Sequence, residues 1–231
     1  MALRLNGVSI LAALALTAAA LGAGLAGAFG EHGRLGPAGA ASATGPANVA
    51  SAAGTPLPLL KGEMGDFSYF DGPKPVPPIE FEDGEGKALT LAQFRGRVVL
   101  VNFWATWCAP CVREMPSLDR LQATLGGKDF VVLDLSLDRQ GAAAILPYFE
   151  ANKLTHLGVY LDPEGKSFHA WHGSGVPMSF LIGRDGRARG ALLGAADWDS
   201  PDALALIRHF IAEGAAAKPE ETRAETAARA S

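Results

Sequence analysis

The sequence predicts an α/β domain built on a mixed central sheet flanked by helices. Three observations predict it. Two apolar runs of strand length, RVVLVNFWA and FVVLDLSL, are separated by a helically spaced segment. Both runs are continuous rather than alternating, as in central strands covered on both faces. The stretch MSFLIGRDGRARGALLG reads as two strands joined at an Asp185–Gly186 turn, which adds antiparallel pairing to the plan.

The N-terminal residues 1–29 hold one positive side chain, Arg4, and no charge from Gly7 to Phe29. A membrane-spanning helix needs about 20 apolar residues, which this run supplies. The small residues Ala26–Ala28 also suit a signal-peptide cleavage site. Length favours an uncleaved anchor; either reading exports the rest of the chain, with Arg4 kept on the cytoplasmic side. Residues 30–71 are rich in Gly, Ala, Pro and Ser without a period, the composition of a tether. The domain is expected over residues 72–214, and a polar tail over 215–231.

Within the domain, IEFEDGEGKALTL reads as an N-terminal hairpin turning over Asp83–Gly86. RVVLVNFWA is a buried central strand. PCVREMPSLDRLQATLG has helical spacing at Val112, Met115, Leu118, Leu121 and Leu125, ends at Gly126, and is expected to kink at Pro116. FVVLDLSL is a second buried strand. GAAAILPYFEANK, LGVYLD and SFHAWHG read as helix, strand and short helix. The closing hairpin leads into SPDALALIRHFIAEG, a helix capped by Ser200, with Pro201 in its first turn and Gly214 at its end.

Composition excludes some functions. The formal net charge is −4, and Lys and Arg are scattered, so no nucleic-acid surface is expected. Two cysteines make at most one disulfide, too few for a disulfide-held scaffold. Those two, Cys108 and Cys111, are three apart, behind the first buried strand and at the start of a helix. Pro110 suits the first helical turn, where its missing N–H costs nothing. The free N–H groups and dipole of that helix end favour a thiolate at Cys108. Two intervening residues suit reversible ring closure, with one thiol as nucleophile and the other resolving. Zinc would need two more ligands; His169 and His172 are available but closely spaced. A purely structural disulfide closing so small a loop would constrain the unfolded chain little.

The segment VVLVNFWATWCAPCVREMP resembles the signature of the thioredoxin superfamily. It is most similar to the membrane-anchored extracytoplasmic branch that includes TlpA, ResA and CcmG-type thiol–disulfide proteins. FRG at 94–96 and GVPMSFLIGRDGRARG fit the same pattern, and GAADWDSPDALALIR is most like the TlpA members. The resemblance covers residues 76–213. It implies a thioredoxin fold with an N-terminal hairpin and a central helix–strand insert near AAAILPYFEANKLTHLGVY. It also implies a redox-active Cys108–Cys111 disulfide, and a cis Pro177 beside it. The Val176 backbone would pair with a substrate peptide, Trp107 would form an exposed docking apron, and Pro110 would share the substrate site. Trp104 reads as core.

In cytoplasmic thioredoxins a buried Asp stands six residues before the first cysteine; here Asn102 stands there and cannot titrate. Glu114, three residues after Cys111, lies on the same helix face and matches the branch's Cys-x-x-Cys-x-x-Glu pattern. It is expected to take over the proton role, with first-turn capping as its competing explanation. Peroxiredoxins carry a threonine three residues before their reactive cysteine, where this chain has Ala105.

The resemblance implies a disulfide reductase without metal or cofactor, acting as a monomer on the periplasmic side of the inner membrane, or soluble in the periplasm after signal cleavage. Its implied partners are disulfide-bearing proteins of cytochrome and oxidase assembly: copper-delivery proteins, an oxidase copper-site subunit, or apocytochrome c. A DsbD- or CcdA-type membrane protein would supply the electrons. A DsbA-type oxidase would carry a large helical insertion and a His between its cysteines, where this chain has Ala109 and Pro110. A Sco-type copper chaperone would space its cysteines one residue wider, and a non-catalytic partner-binding module would leave the thiols without a role.

Overall fold

The computed structural model of the chain describes residues 56–213. The expected anchor or signal, most of the tether and the polar tail lie outside them. Among the described residues no helix is long and apolar enough to cross a membrane.

Strands β4 (Val98–Trp104) and β5 (Phe130–Ser136) are parallel neighbours, in register from Val98 opposite Phe130 to Trp104 opposite Ser136. Every residue of both is buried, as their continuous apolar runs require. The closing hairpin lies beside β4: β7 (Met178–Ile182) pairs antiparallel with it, and β8 (Ala188–Leu193) pairs antiparallel with β7. On the other side a short β6 (Tyr160–Leu161) runs parallel to β5. The N-terminal hairpin, β2 (Glu80–Asp83) and β3 (Ala88–Thr90), extends that edge by pairing β2 with β6. Its turn is closed by Asp83, whose Oδ1 accepts from the backbone N–H groups of Glu85 and Lys87, both at 3.0 Å.

Helices α1 (Ala109–Leu125), α2 (Ala142–Asn152), α3 (Lys166–Ala170) and α4 (201–213) complete the element order. One core joins Met115, Leu118 and Leu121 of α1, Ile145 and Phe149 of α2, and Leu206, Ile207 and Phe210 of α4 to the sheet. The second lies on the other face, where Phe103 and Phe180 meet Phe81, Phe94 and Trp171. Mixed sheet, flanking helices, N-terminal hairpin and the α2–β6 insert together give the expected thioredoxin fold.

One expectation gains a detail and another changes. Helix α1 runs through Pro116 without interruption. A proline leaves the carbonyl four residues back without its helical donor; here that is Val112, and the Tyr148 hydroxyl lies 3.5 Å from it. The sheet also takes in residues upstream of Gly72. Strand β1 (Ser68–Lys74) pairs antiparallel with β8, and Met64 and Phe67 before it are buried. Composition placed these residues in the tether, yet Met64 and Phe67 lie in the core, with Leu57, Leu60 and Tyr69 packed against it. Gly190 of β8 makes room for it: a Cβ there would stand 2.5 Å from the Phe67 ring and 2.6 Å from the Ser68 carbonyl oxygen.

The strand order is β1-β8-β7-β4-β5-β6-β2-β3, with β4 near the middle. Replacing Phe67→Ala should lower the unfolding free energy by about 3 kcal/mol, the usual cost of emptying a buried aromatic site. Urea denaturation of the variant measures it, and an unchanged midpoint would return this segment to the tether.

Candidate active site

Strand β4 ends at Trp104, and the chain turns through residues 105–107 into α1. Asp138, at the end of β5, holds that turn. Its carboxylate accepts from the Thr106 backbone N–H at 2.9 Å, from the Thr106 hydroxyl at 2.6 Å and from the Ser136 hydroxyl at 2.8 Å. Charge-assisted bonds of this kind are the stronger ones. Nothing in the sequence singled out Asp138, because its partners become neighbours only when β4 and β5 pair.

Cys108 is the N-cap of α1, and its sulfur accepts the Cys111 backbone N–H at 3.3 Å. A disulfide joins the two cysteines, with their Cα atoms 5.3 Å apart. Cys108 is 6 % exposed and Cys111 fully buried, so an incoming partner meets Cys108 first. The helix end and the Cys111 N–H both stabilise negative charge on the Cys108 sulfur once the bond is reduced. Pro110 lies in the first turn of α1.

The Val176–Pro177 peptide is cis, and the Val176 carbonyl oxygen lies 3.5 Å from Cys108 Sγ. The loop that sequence placed beside the cysteines is therefore there. Trp107 is 68 % exposed next to Cys108, and Trp104 is fully buried with its Nε1–H donating to the Asp134 carbonyl at 3.1 Å. Among the described residues no three His, Cys, Asp or Glu side chains gather as metal ligands.

Behind the disulfide lies a buried polar cluster. Glu114 projects from α1 and is 3 % exposed. Its Oε1 accepts from Asn102 Nδ2 at 2.9 Å and its Oε2 from the Ala196 backbone N–H at 3.1 Å. Asn102 Nδ2 also donates to Ser179 Oγ at 2.9 Å. Burial raises the Glu114 pKa to about 7, and the bonds from Asn102 and Ala196 oppose that rise in part. The Trp198 indole also favours the ionised form, although its N–H makes no hydrogen bond of good geometry. Glu114 is thus held near neutrality one helical turn from Cys111, rather than serving as an exposed first-turn acid. Ser179 and Ala196 escaped sequence reasoning, because a serine in a strand and an alanine in a loop carry no mark of chemistry.

A strand-end dithiol answered by a cis-proline loop on the neighbouring strand defines a thioredoxin-fold dithiol–disulfide protein. The model of the AhpC/TSA family matches residues 73–190, and the chain belongs to that family. It is similar to the thiol–disulfide oxidoreductase ResA of Bacillus thuringiensis subsp. konkukian, 32 % identical over 114 residues, which cover 49 % of this chain and 65 % of that protein. The chain thus spans just under two thirds of that relative's length. With ResA of Bacillus thuringiensis strain Al Hakam it shares 31 % identity over 137 residues, 59 % of this chain and 78 % of the relative. Among solved structures, a Chlorobium tepidum protein assigned as thiol:disulfide interchange protein DsbE superposes with a TM-score of 0.55 at 27 % identity. That match covers 62 % of this chain and 99 % of the other. These similarities agree with the resemblance to the TlpA, ResA and CcmG group.

The raised Glu114 pKa has a consequence for stability. Between the ordinary carboxylate value of 4.5 and about 7 the folded chain binds a proton that the unfolded chain releases. Stability therefore falls as pH rises through that window. Glu114→Gln should be the more stable protein at pH 8 relative to pH 5, by on the order of 3 kcal/mol in the difference. Denaturant unfolding of both oxidised proteins at the two pH values measures it; parallel curves would mean an unshifted carboxylate.

Proposed function

We propose that the chain is an extracytoplasmic thiol–disulfide oxidoreductase that reduces disulfides in partner proteins during cytochrome and oxidase assembly. The observation that carries this reading is the unequal exposure of the two sulfurs at one helix start. Cys108 is reachable beside the Val176–Pro177 loop and the exposed Trp107, while Cys111 is sealed behind it.

The cycle begins with the reduced pair. The Cys108 thiolate attacks one sulfur of the partner's disulfide, and the other partner sulfur leaves as a thiolate. Glu114 takes the Cys111 proton, and the Cys111 thiolate attacks the Cys108 sulfur. The partner's first sulfur leaves as a thiolate, so the partner departs as a dithiol and this chain as the Cys108–Cys111 disulfide. Two electrons have moved to the partner. Trp107 offers apolar surface for docking, and the backbone of Val176 suits strand-like pairing with the substrate peptide.

Copper-delivery proteins and an oxidase copper-site subunit are the substrates favoured by the TlpA-like stretch at 194–208. Similarity to ResA- and DsbE-named proteins supports apocytochrome c thiols as the second reading. The oxidised form is recharged by a DsbD- or CcdA-type membrane donor, and the uncharged segment before Phe29 anchors the chain in the inner membrane with the domain in the periplasm. Ala105, where a peroxiredoxin would carry threonine, argues against peroxidase chemistry.

The reduction potential of the pair should lie well below about −120 mV, the range of the oxidant DsbA. Equilibration with glutathione measures it, and a value near DsbA would make the chain an oxidase. Cys111→Ser should hold partners on Cys108 as mixed disulfides, and their identity separates the copper route from apocytochrome c. Release from membranes only with detergent is expected of the anchored form.

A further inference from the structure

Asp134 is the most deeply buried acid among the described residues, and the mechanism does not use it. Asp134 sits on β5, opposite Asn102 in the parallel register, and is 1 % exposed. Ser179 of β7 lies opposite Asn102 on the other side. Ser179, Asn102 and Asp134 thus form one row across three central strands, with Glu114 reaching it from α1.

Hydrogen-bond accounting in the row is uneven. Both N–H bonds of the Asn102 amide are used, toward Glu114 and Ser179. Asn102 Oδ1, Asp134 Oδ1 and Asp134 Oδ2 are all buried without a partner. Three such atoms at register-paired positions are not casual, since buried polar groups are satisfied in the great majority of cases. With Nδ2 committed to β7 and α1, Oδ1 is left for the β5 side. An ionised Asp134 has only acceptors and leaves all three atoms unsatisfied; a protonated one has the single donor that Oδ1 lacks.

We propose that Asp134 is a positioning residue of the redox centre, held as a neutral carboxylic acid whose O–H engages Asn102 Oδ1 and keeps the amide turned with Nδ2 toward Glu114. Burial raises the Asp134 pKa well above the ordinary carboxylate value; its own backbone N–H opposes the rise without a hydrogen bond of good geometry, and the charge of Asp119 adds to it. Of the other titratable groups, Glu114 reaches the same row from α1 through Asn102, and Tyr160 on β6 senses the Asp134 charge. Asp119 is itself paired with His156 at 2.9 Å. None of these is a cation fixed beside Asp134 that would hold it ionised. Without the pin, Asn102 is free to turn its oxygen toward Glu114, and the bond that favours the ionised Glu114 is lost.

This inference rests on Glu114 acting as the proton acceptor for Cys111. The rate at which Cys111 releases thionitrobenzoate from a Cys108 mixed disulfide, followed against pH in the full chain, reads the Glu114 midpoint. Asp134→Val removes the donor and should raise that midpoint by about one unit, since a hydrogen bond to a charged group is worth that much. Asp134→Asn keeps a donor and should leave the midpoint in place. An unchanged midpoint in Asp134→Val, or the same rise in both variants, overturns the assignment. Infrared spectra supply a readout that needs neither kinetics nor the valine variant: with Glu114 replaced by Gln, the protein at pH 7 should show a protonated carboxyl band that a further Asp134→Asn removes. Absence of that band means an ionised Asp134 and sinks the proposal. A midpoint that persists in Glu114→Gln would instead refute the Glu114 role, leaving the infrared result to judge Asp134 alone.

Discussion

The site depends on one constraint: β4 is buried along its whole length, so the polar side chain it carries inward must be answered from its neighbours. Asn102 is that side chain, and it sits at the crossing of the sheet with α1. Its amide donates to Ser179 from the antiparallel neighbour and to Glu114 from the helix. The Glu114 carboxylate is held in turn by the Ala196 N–H from the loop after β8. A buried carboxyl with few donors favours its neutral form, and one with several favours the ionised form. Glu114 falls between, with a pKa near 7, because desolvation outweighs the bonds that it accepts without overwhelming them.

The same strand delivers the dithiol, and the rigidity of its exit matters as much as its direction. The turn from β4 into α1 is held by Asp138, through Thr106 two residues before Cys108, as well as by the buried Ala105. Helix α1 then supplies the N–H that meets the Cys108 sulfur, and the cis-proline loop before β7 brings the Val176 carbonyl to it. Three elements converge on one sulfur, each already fixed by burial elsewhere. That leaves the reaction little to organise when a partner arrives.

Much of this was legible in the sequence. The central strands showed as unbroken apolar runs, the hairpins as turn residues between strand patterns, and α4 by its Ser200 cap, whose hydroxyl oxygen accepts the Ala203 N–H. Cys108 and Cys111 were readable by type and spacing, and Glu114, Trp107 and Pro177 through the family resemblance. The place of β1 in the sheet was not, since the Pro- and Gly-interrupted residues 56–74 show no period. Ser179, Ala196, Asp134 and Asp138 were also hidden, because each acts through a partner on another strand or helix, 32 or more residues away in the cases of Asp138 with Thr106, Ser179 with Asn102 and Ala196 with Glu114.

The sequence by itself determined the class of fold and the chemistry at its reactive tip: a strand, two thiols and a helix start are contiguous, and their interactions are local. Tertiary structure decided the rest. Whether a carboxyl titrates near 4 or near 7 depends on how many donors reach it once water is excluded, and those donors come from β4 and the loop after β8. Burial and register, which no single segment carries, turn Asn102, Glu114 and Asp134 from scattered polar residues into one cluster behind the disulfide.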